Sequence, residues 1–408
     1  MKKDRIKKYD RFSQQVRRHF NGLATSDGAI KPISRNALLN FGNPPPRGEV
    51  PSERLETLAS RLVRASGSVR SNLRLRPSTE VPGAYELPPN IRAYGGIPGK
   101  SARVLRSLPP RLEAQGQEGR PDRVKASLKG FAPEWVELGF HPKTVLPSTP
   151  PEIRTGKSRR ILHAIYNGES RTNIYPNTWP ECCVCRIRVY TQDYEGAPWN
   201  YKKRGTAFMV GPRHLITSGH LQPPAPYFGW MIEVTPAEFD GESVFGPQFY
   251  TYASDYVAYN SGWGNDLMVC RLYDPIGDTV GWFGQTVYSG SWQGGDYWLM
   301  SGYPKDVGAT QPAFQGPFAV IDDDDGPDIE LPDGSVRDTT QIESKADSAS
   351  GASGSPVYSW FTDGQVYAIG VHEGTEEDWE AFGYDLHSTA SGGVGFFDLV
   401  GWALSAWP

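Results

Sequence analysis

Cysteine is scarce in this chain, with four among 408 residues. Cys182, Cys183 and Cys185 crowd into one segment and Cys270 stands apart. That crowding excludes a framework of bridges between distant loops. Without paired CxxC spacing there is no case for a zinc site, so the four read as reduced core thiols. No run of about 18 apolar residues occurs, so no helix is expected to cross a membrane. The opening MKKDRIKKYDRF is basic but lacks the apolar stretch of a secretory signal, and the expectation is a cytoplasmic protein. No internal repeat of fixed period is found. Histidine is limited to seven residues, which leaves few candidates for acid–base chemistry.

What is present divides the chain in two. Residues 1–160 carry 31 Lys and Arg against 14 Asp and Glu, whereas residues 161–408 carry 11 against 32, so a net charge of −4 conceals +17 and −21. The basic part holds NPPPRGE, ELPPN and LPSTPPE, which cannot sit inside regular elements, and its low apolar content predicts a largely irregular extension. Short helices are expected where Leu55, Leu58, Leu62 and Ala65 recur at helical spacing behind Ser52, and where Ile6, Tyr9, Val16 and Phe20 form a weaker stripe. From about residue 180 the texture becomes short β-rich runs such as CCVCRIRVYT, GTAFMVG, HLITSG, DLMVCRLY and VYAIGVHEG, bounded by Gly, Pro, Asn and Asp. Such runs without long helices between them favour an all-β barrel or sandwich. FFDLVGWALSAW reads as one closing amphipathic helix.

The stretch GASGSP raises the question of chemistry. A serine among small residues is a common turn, and it becomes a nucleophile only with a base to take its proton and a third group to orient that base. Upstream, GTAFMVGPRHLITSGH reads as strand, tight turn, strand and bend, leaving His220 at the end of an element. In GNDLMVCRL, Asp266 begins an apolar strand. His220, Asp266 and Ser353 therefore occur in that order, each within its own local pattern.

This conjunction resembles the chymotrypsin-like serine peptidases. GTAFMVGPRHLITSGH, NDLMVCRLYD, SGYP and GASGSPV match that family's histidine, aspartate, mid-barrel and serine regions. SGYPKD, GASGSPVYS and AIGVHEG are similar to the glutamyl endopeptidase branch. The resemblance covers residues 165 to 408. It implies two six-stranded antiparallel β-barrels, about 165–280 and 281–395, with a C-terminal helix at about 396–406. Ser353 would attack the carbonyl carbon, His220 would act as base and then acid, and Asp266 would orient the imidazole. The Gly351 and Ser353 amides would form the oxyanion hole, each donor worth roughly 3 kcal/mol. No metal or cofactor is implied. Ser355 fits a packing role beside the nucleophile. Leu221 stands where many relatives have a bridging cysteine, and Ala352 where trypsin has the aspartate of its zymogen switch.

The resemblance also bears on the substrate, a polypeptide. Ser348 and His372 would line the pocket for the side chain before the scissile bond, a hydroxyl and an imidazole suited to a carboxylate, which implies cleavage after Glu. Glu373, Glu376, Glu377, Asp378 and Glu380 lie next in the sequence and read as an acidic rim, which favours Arg or Lys as the second expectation. His387 is a further candidate, as a support for His372. IDDDDGPD at Ile321–Asp328 reads as a solvated loop, or as a carboxylate calcium site. Arg159 and Arg160 resemble a processing site, and NGESRTNI resembles a mature N-terminus. Residues 1–160 would then be a propeptide or regulatory arm docking on the acidic domain 161–408, or a basic tail that meets nucleic acid or an acidic membrane surface. The rival to catalysis is an inactive protease-like binding module.

Overall fold

In this computed structural model, residues 170–407 are described apart from 195–196, 246–248, 308–309, 362–364 and 381–382, together with short pieces at 76–77, 84–86, 127–133, 137–138 and 165–166. The helices expected around Ile6–Phe20 and Leu55–Ala65 lie outside the described residues.

Two closed antiparallel rings of six strands each make up the body. The first contains β1 (Val184–Gln192), β2 (Trp199–Gly211), β3 (His214–Thr217), β4 (Gly229–Pro236), β5 (Thr251–Tyr259) and β6 (Leu267–Leu272). They pair in the order β2–β1–β4–β5–β6–β3, and β3 returns to β2. Apolar positions line the closed ring: Ile187 and Val189 on β1 enter the core on either side of Arg188, and Ala207, Phe208, Met209 and Val210 on β2 are all buried in it. Between the apolar positions of β1, Arg188 meets the carboxylates of Glu233 at 3.1 Å and Glu238 at 2.7 Å, so charge drawn into the wall is paired.

The second ring contains β7 (Asp296–Gly302), β8 (Ala313–Glu330), β9 (Val336–Ser344), β10 (Pro356–Trp360), β11 (Val366–Glu380) and β12 (Gly383–Gly392). Its order is β10–β7–β8–β9–β12–β11, with β10 closing on β11. Its core is aromatic: Trp292 lies 5.8 Å from Trp298 and 5.5 Å from Phe361, both in tilted or edge-on geometry. The run IDDDDGPD is not a loop. It forms the outer half of β8, with Asp323 opposite Ile342 and Asp325 opposite Thr340. Backbone pairing over this length outweighs the low strand propensity of aspartate, and partial burial, reinforced by repulsion from Asp322, Asp324 and Asp325, holds the Asp323 carboxyl above its usual value.

The final helix, α1 (Gly393–Ala406), starts three residues earlier than FFDLVG suggested. Phe396, Leu399, Val400 and Ala403 recur at helical spacing and are buried. Beyond it, the Trp407 carbonyl meets His214 Nε2 at 2.7 Å, fastening the C-terminal end of the helix to the first ring.

Strands from outside the two rings extend both sheets. Ala84–Glu86 pairs with β2. Ser127–Leu128 pairs with the short strand Gly284–Thr286, which itself runs parallel to β11. Next to it, Phe131 and Trp282 exchange backbone hydrogen bonds of 2.9 and 3.0 Å, and their rings lie 4.6 Å apart. Part of the basic region is thus woven into the sheets of the acidic one. All four cysteines are free and buried; burial pushes the Cys185 and Cys270 thiols far up, so they remain protonated. No described helix is long and apolar enough to cross a membrane.

Candidate active site

The site is assembled where two turns of opposite origin meet. β3 ends at Thr217, and a single 3-10 turn, Gly219–Leu221, carries His220. Glycine is required at position 219, because a Cβ there would stand 1.8 Å from the Tyr259 carbonyl oxygen. Asp266 is fully buried at the start of β6 and grips His220 twice. Its Oδ1 accepts from the His220 backbone N–H at 2.6 Å, and its Oδ2 lies 2.5 Å from the imidazole Nδ1. This pair fixes the ring orientation and leaves Nε2 available. Lys203 secures the same turn, donating from Nζ to the carbonyls of His220 at 2.7 Å and Gln222 at 2.9 Å.

Ser353 belongs to the turn before β10. Gly351 and Gly354 flank this turn with φ of +102° and +92°, a left-handed conformation that disfavours side chains. The turn is pressed onto β2: Thr206 N–H donates to the Ser353 carbonyl at 2.9 Å, and Thr206 Oγ1 to the Gly351 carbonyl at 2.8 Å. Gly205 permits this approach, since a Cβ on it would meet Leu221 Cδ1 at 2.3 Å and the Ser353 carbonyl oxygen at 3.0 Å. A second set of bonds runs to β11. Gly354 N–H and Ser218 Oγ both donate to the His372 carbonyl at 2.8 Å, so one peptide oxygen ties the Ser353 turn to the residue two before His220. Ser355 Oγ bonds the Ala352 carbonyl at 2.6 Å and is fully buried, in keeping with a packing role.

Ser353 is 7% exposed, and its hydroxyl has no hydrogen-bond partner among the described residues. The same holds for the N–H groups of Gly351 and Ser353, which leaves two backbone donors open for an incoming oxyanion. Catalytic hydrogen bonds in unliganded sites are often long and tighten when substrate arrives.

Of the residues expected to recognise substrate, His372 lies on β11 and Ser348 in the segment between β9 and β10. Ser348 Oγ and Thr375 Oγ1 are 3.5 Å apart, both buried. His372 is buried, and that burial lowers its imidazole to about 4, with the Thr389 backbone opposing the shift and His220 adding to it. It is therefore neutral at neutral pH, a hydrogen-bonding group rather than a cation. His387 Nδ1 lies 2.6 Å from Glu343 Oε2, so its partner is a carboxylate on β9. Glu373 departs from the acidic-rim expectation: it is buried and turns inward, because alternation and the register shift between His372 and Gly374 aim it away from solvent.

Sequence reasoning passed over Asp347, the neighbour of Ser348. Its buried carboxylate accepts from Tyr166 N–H at 2.7 Å, Ser170 N–H at 2.9 Å and Ser170 Oγ at 2.5 Å. The available signal was a carboxylate within KADSAS, six residues before Ser353. Its partners, about 180 positions away, were invisible without the fold. Among the described residues there is no cluster of His, Cys, Asp and Glu arranged to hold a metal ion.

A double ring of antiparallel strands, with a His–Asp pair on one and a glycine-flanked serine on the other, fits the arrangement implied by the resemblance to the chymotrypsin-like serine peptidases. In sequence, part of the chain is similar to a glutamyl endopeptidase. It is 30% identical over 166 residues, 38% of this chain, to the glutamyl endopeptidase of Bacillus licheniformis, and spans 44% of the length of that relative. A solved Glu endopeptidase, in complex with MPD, is 18% identical and covers 59% of this chain and 99% of its own, with a TM-score of 0.42. No protein-family model matches.

Proposed function

We propose that the protein is a serine endopeptidase that cleaves peptide bonds through an acyl-enzyme on Ser353. Ser353 Oγ attacks the carbonyl carbon while His220 Nε2 takes its proton, and Asp266 holds the ring and stabilises its cationic form. The oxyanion is received by the Gly351 and Ser353 amides. His220 then protonates the leaving amine, and water repeats the sequence to release the acid. The observation that supports this reading is the twofold grip of Asp266 on His220, together with the bonds that join their surroundings to the Ser353 turn: Thr206 bonds that turn directly, and Ser218 shares the His372 carbonyl with Gly354 N–H.

The test is labelling by a fluorophosphonate probe. Wild-type protein should label, and Ser353→Ala and His220→Ala should not, with circular dichroism unchanged in both. Labelling that survives Ser353→Ala would overturn the assignment. Absence of labelling in the wild type would favour the protease-like binding module.

For specificity, Ser348 and His372 are proposed to contact the side chain before the scissile bond, with Glu as the first choice on the relationship to glutamyl endopeptidase. A specific observation supports the second choice, Arg or Lys. His372 is neutral, which removes a positive charge that would favour a carboxylate. A peptide library resolved at that position separates the two. Processing near Arg160 remains part of the proposal. The basic residues before it would act as a regulatory arm on the acidic domain, since opposite charges of this size attract and are screened by salt.

A further inference from the structure

Glu373 stands directly after His372, and its side chain does not reach solvent. It is 1% exposed, and both carboxylate oxygens are used as acceptors. Oε1 accepts from the Gly264 N–H at 3.0 Å, and Oε2 accepts from the Ser391 hydroxyl at 3.0 Å. Ser391 Oγ in turn accepts from the Asp266 N–H at 2.8 Å. A continuous chain of donors thus runs from the backbone of Asp266 through Ser391 on β12 to Glu373 on β11.

The segment it holds has little freedom elsewhere. Gly264 has φ of +83°, and a Cβ on it would stand 2.8 Å from the Gln341 backbone nitrogen. Asn265 Oδ1 accepts from the Ser261 and Gly262 N–H groups at 3.0 and 3.1 Å, closing the preceding loop upon itself. The carboxylate of Glu373 therefore fixes the two backbone positions, 264 and 266, on either side of that loop's end. Asp266 must meet His220 through both oxygens at once, which demands a backbone placement good to a fraction of an ångström.

We propose that Glu373, acting through Ser391, is a positioning residue for Asp266. It lies in the second ring and aligns the His220–Asp266 pair of the first. Each ring thereby holds part of the other's machinery: Thr206 of the first ring braces the serine turn, and Glu373 of the second braces the aspartate. This inference rests on the proposed catalytic roles of His220 and Asp266.

The experiment compares Ser391→Ala, Ser391→Thr and Glu373→Gln in the full chain. It measures kcat and KM on a peptide substrate, and the low-field proton resonance of the His220 Nδ1–H shared with Asp266. Ser391→Ala is expected to lower kcat by about tenfold or more, the size of one ordinary hydrogen bond transmitted to the barrier, with KM within about twofold. The His220 resonance should shift or broaden. Ser391→Thr, which keeps the hydroxyl, should restore both readouts. Glu373→Gln should act in the same direction, and the Glu373→Gln/Ser391→Ala pair should be no worse than Ser391→Ala alone, as expected of groups in series. An unmoved resonance in Ser391→Ala and Glu373→Gln overturns the proposal, including when activity falls alongside the melting temperature. If the wild type shows no serine labelling, the peptidase reading fails separately, and the resonance still decides whether the relay positions Asp266.

Discussion

The two rings solve the same problem by opposite means. In the first, the functional groups are held by their own side chains: Asp266 bonds both the backbone and the ring of His220, and Lys203 caps the turn. In the second, Ser353 is placed by what its neighbours lack. Gly351 and Gly354 allow a left-handed turn, and the bonds that seat it run from its peptide groups to Thr206 and His372. The contrast teaches that side-chain bonds hold the histidine itself and peptide-group bonds hold the serine, while both turns depend on a glycine, 219 in one and 354 in the other, where an added Cβ would stand 1.8 Å from a carbonyl oxygen.

The comparison breaks most visibly at Asp266. Asp266→Asn keeps the shape but disturbs the imidazole tautomer, and kcat is expected to fall by about 10⁴-fold with little change in melting temperature. Gly354→Ala should do the reverse. Its Cβ would stand 1.8 Å from the Thr206 carbonyl oxygen in a left-handed residue, so urea denaturation should show a loss above about 1–3 kcal/mol, the usual cost of that backbone region alone. Thr206→Val, close to isosteric, removes the bond to Gly351 O and the acceptor for Tyr303 N–H. It should cost about 1–3 kcal/mol and weaken fluorophosphonate labelling.

A smaller effect concerns pH, because each ring contains one buried histidine held neutral. His214 and His372 are both lowered from 6.5 to about 4 by burial. Between those values the unfolded chain binds more protons than the folded one, so stability is fully present above about pH 6.5 and declines as pH falls toward 4. Denaturation midpoints of His372→Gln should flatten this slope relative to wild type. The smallest change should come from Asp324→Asn on the outer half of β8, an exposed position where stability should move by no more than about 0.5 kcal/mol.

Much of this was legible in the chain. His220 ends a strand-turn-strand-bend, Asp266 starts an apolar strand, and GASGSP has the small residues that a left-handed turn needs, so local chemistry announced each piece. Glu373 and Asp347 were misread or missed for one reason. Each looks like an ordinary acidic residue in sequence, and only partners far along the chain, Gly264 and Ser391 for one and Tyr166 and Ser170 for the other, show that each is a buried acceptor. IDDDDGPD reads as a solvated loop or a calcium site in sequence, and the backbone ladder to β9 that makes it a strand is formed only in the fold.

By itself the sequence determined the period-two strands, the turns that glycine permits and the division of charge between residues 1–160 and the rest, because these depend on neighbours within a few positions. Tertiary structure alone decided which side chains became acceptors for distant donors and how the turns of two rings were set against each other. Those placements follow from ring closure and register, where one peptide carbonyl, that of His372, can receive Gly354 and Ser218 from opposite sides of the seam.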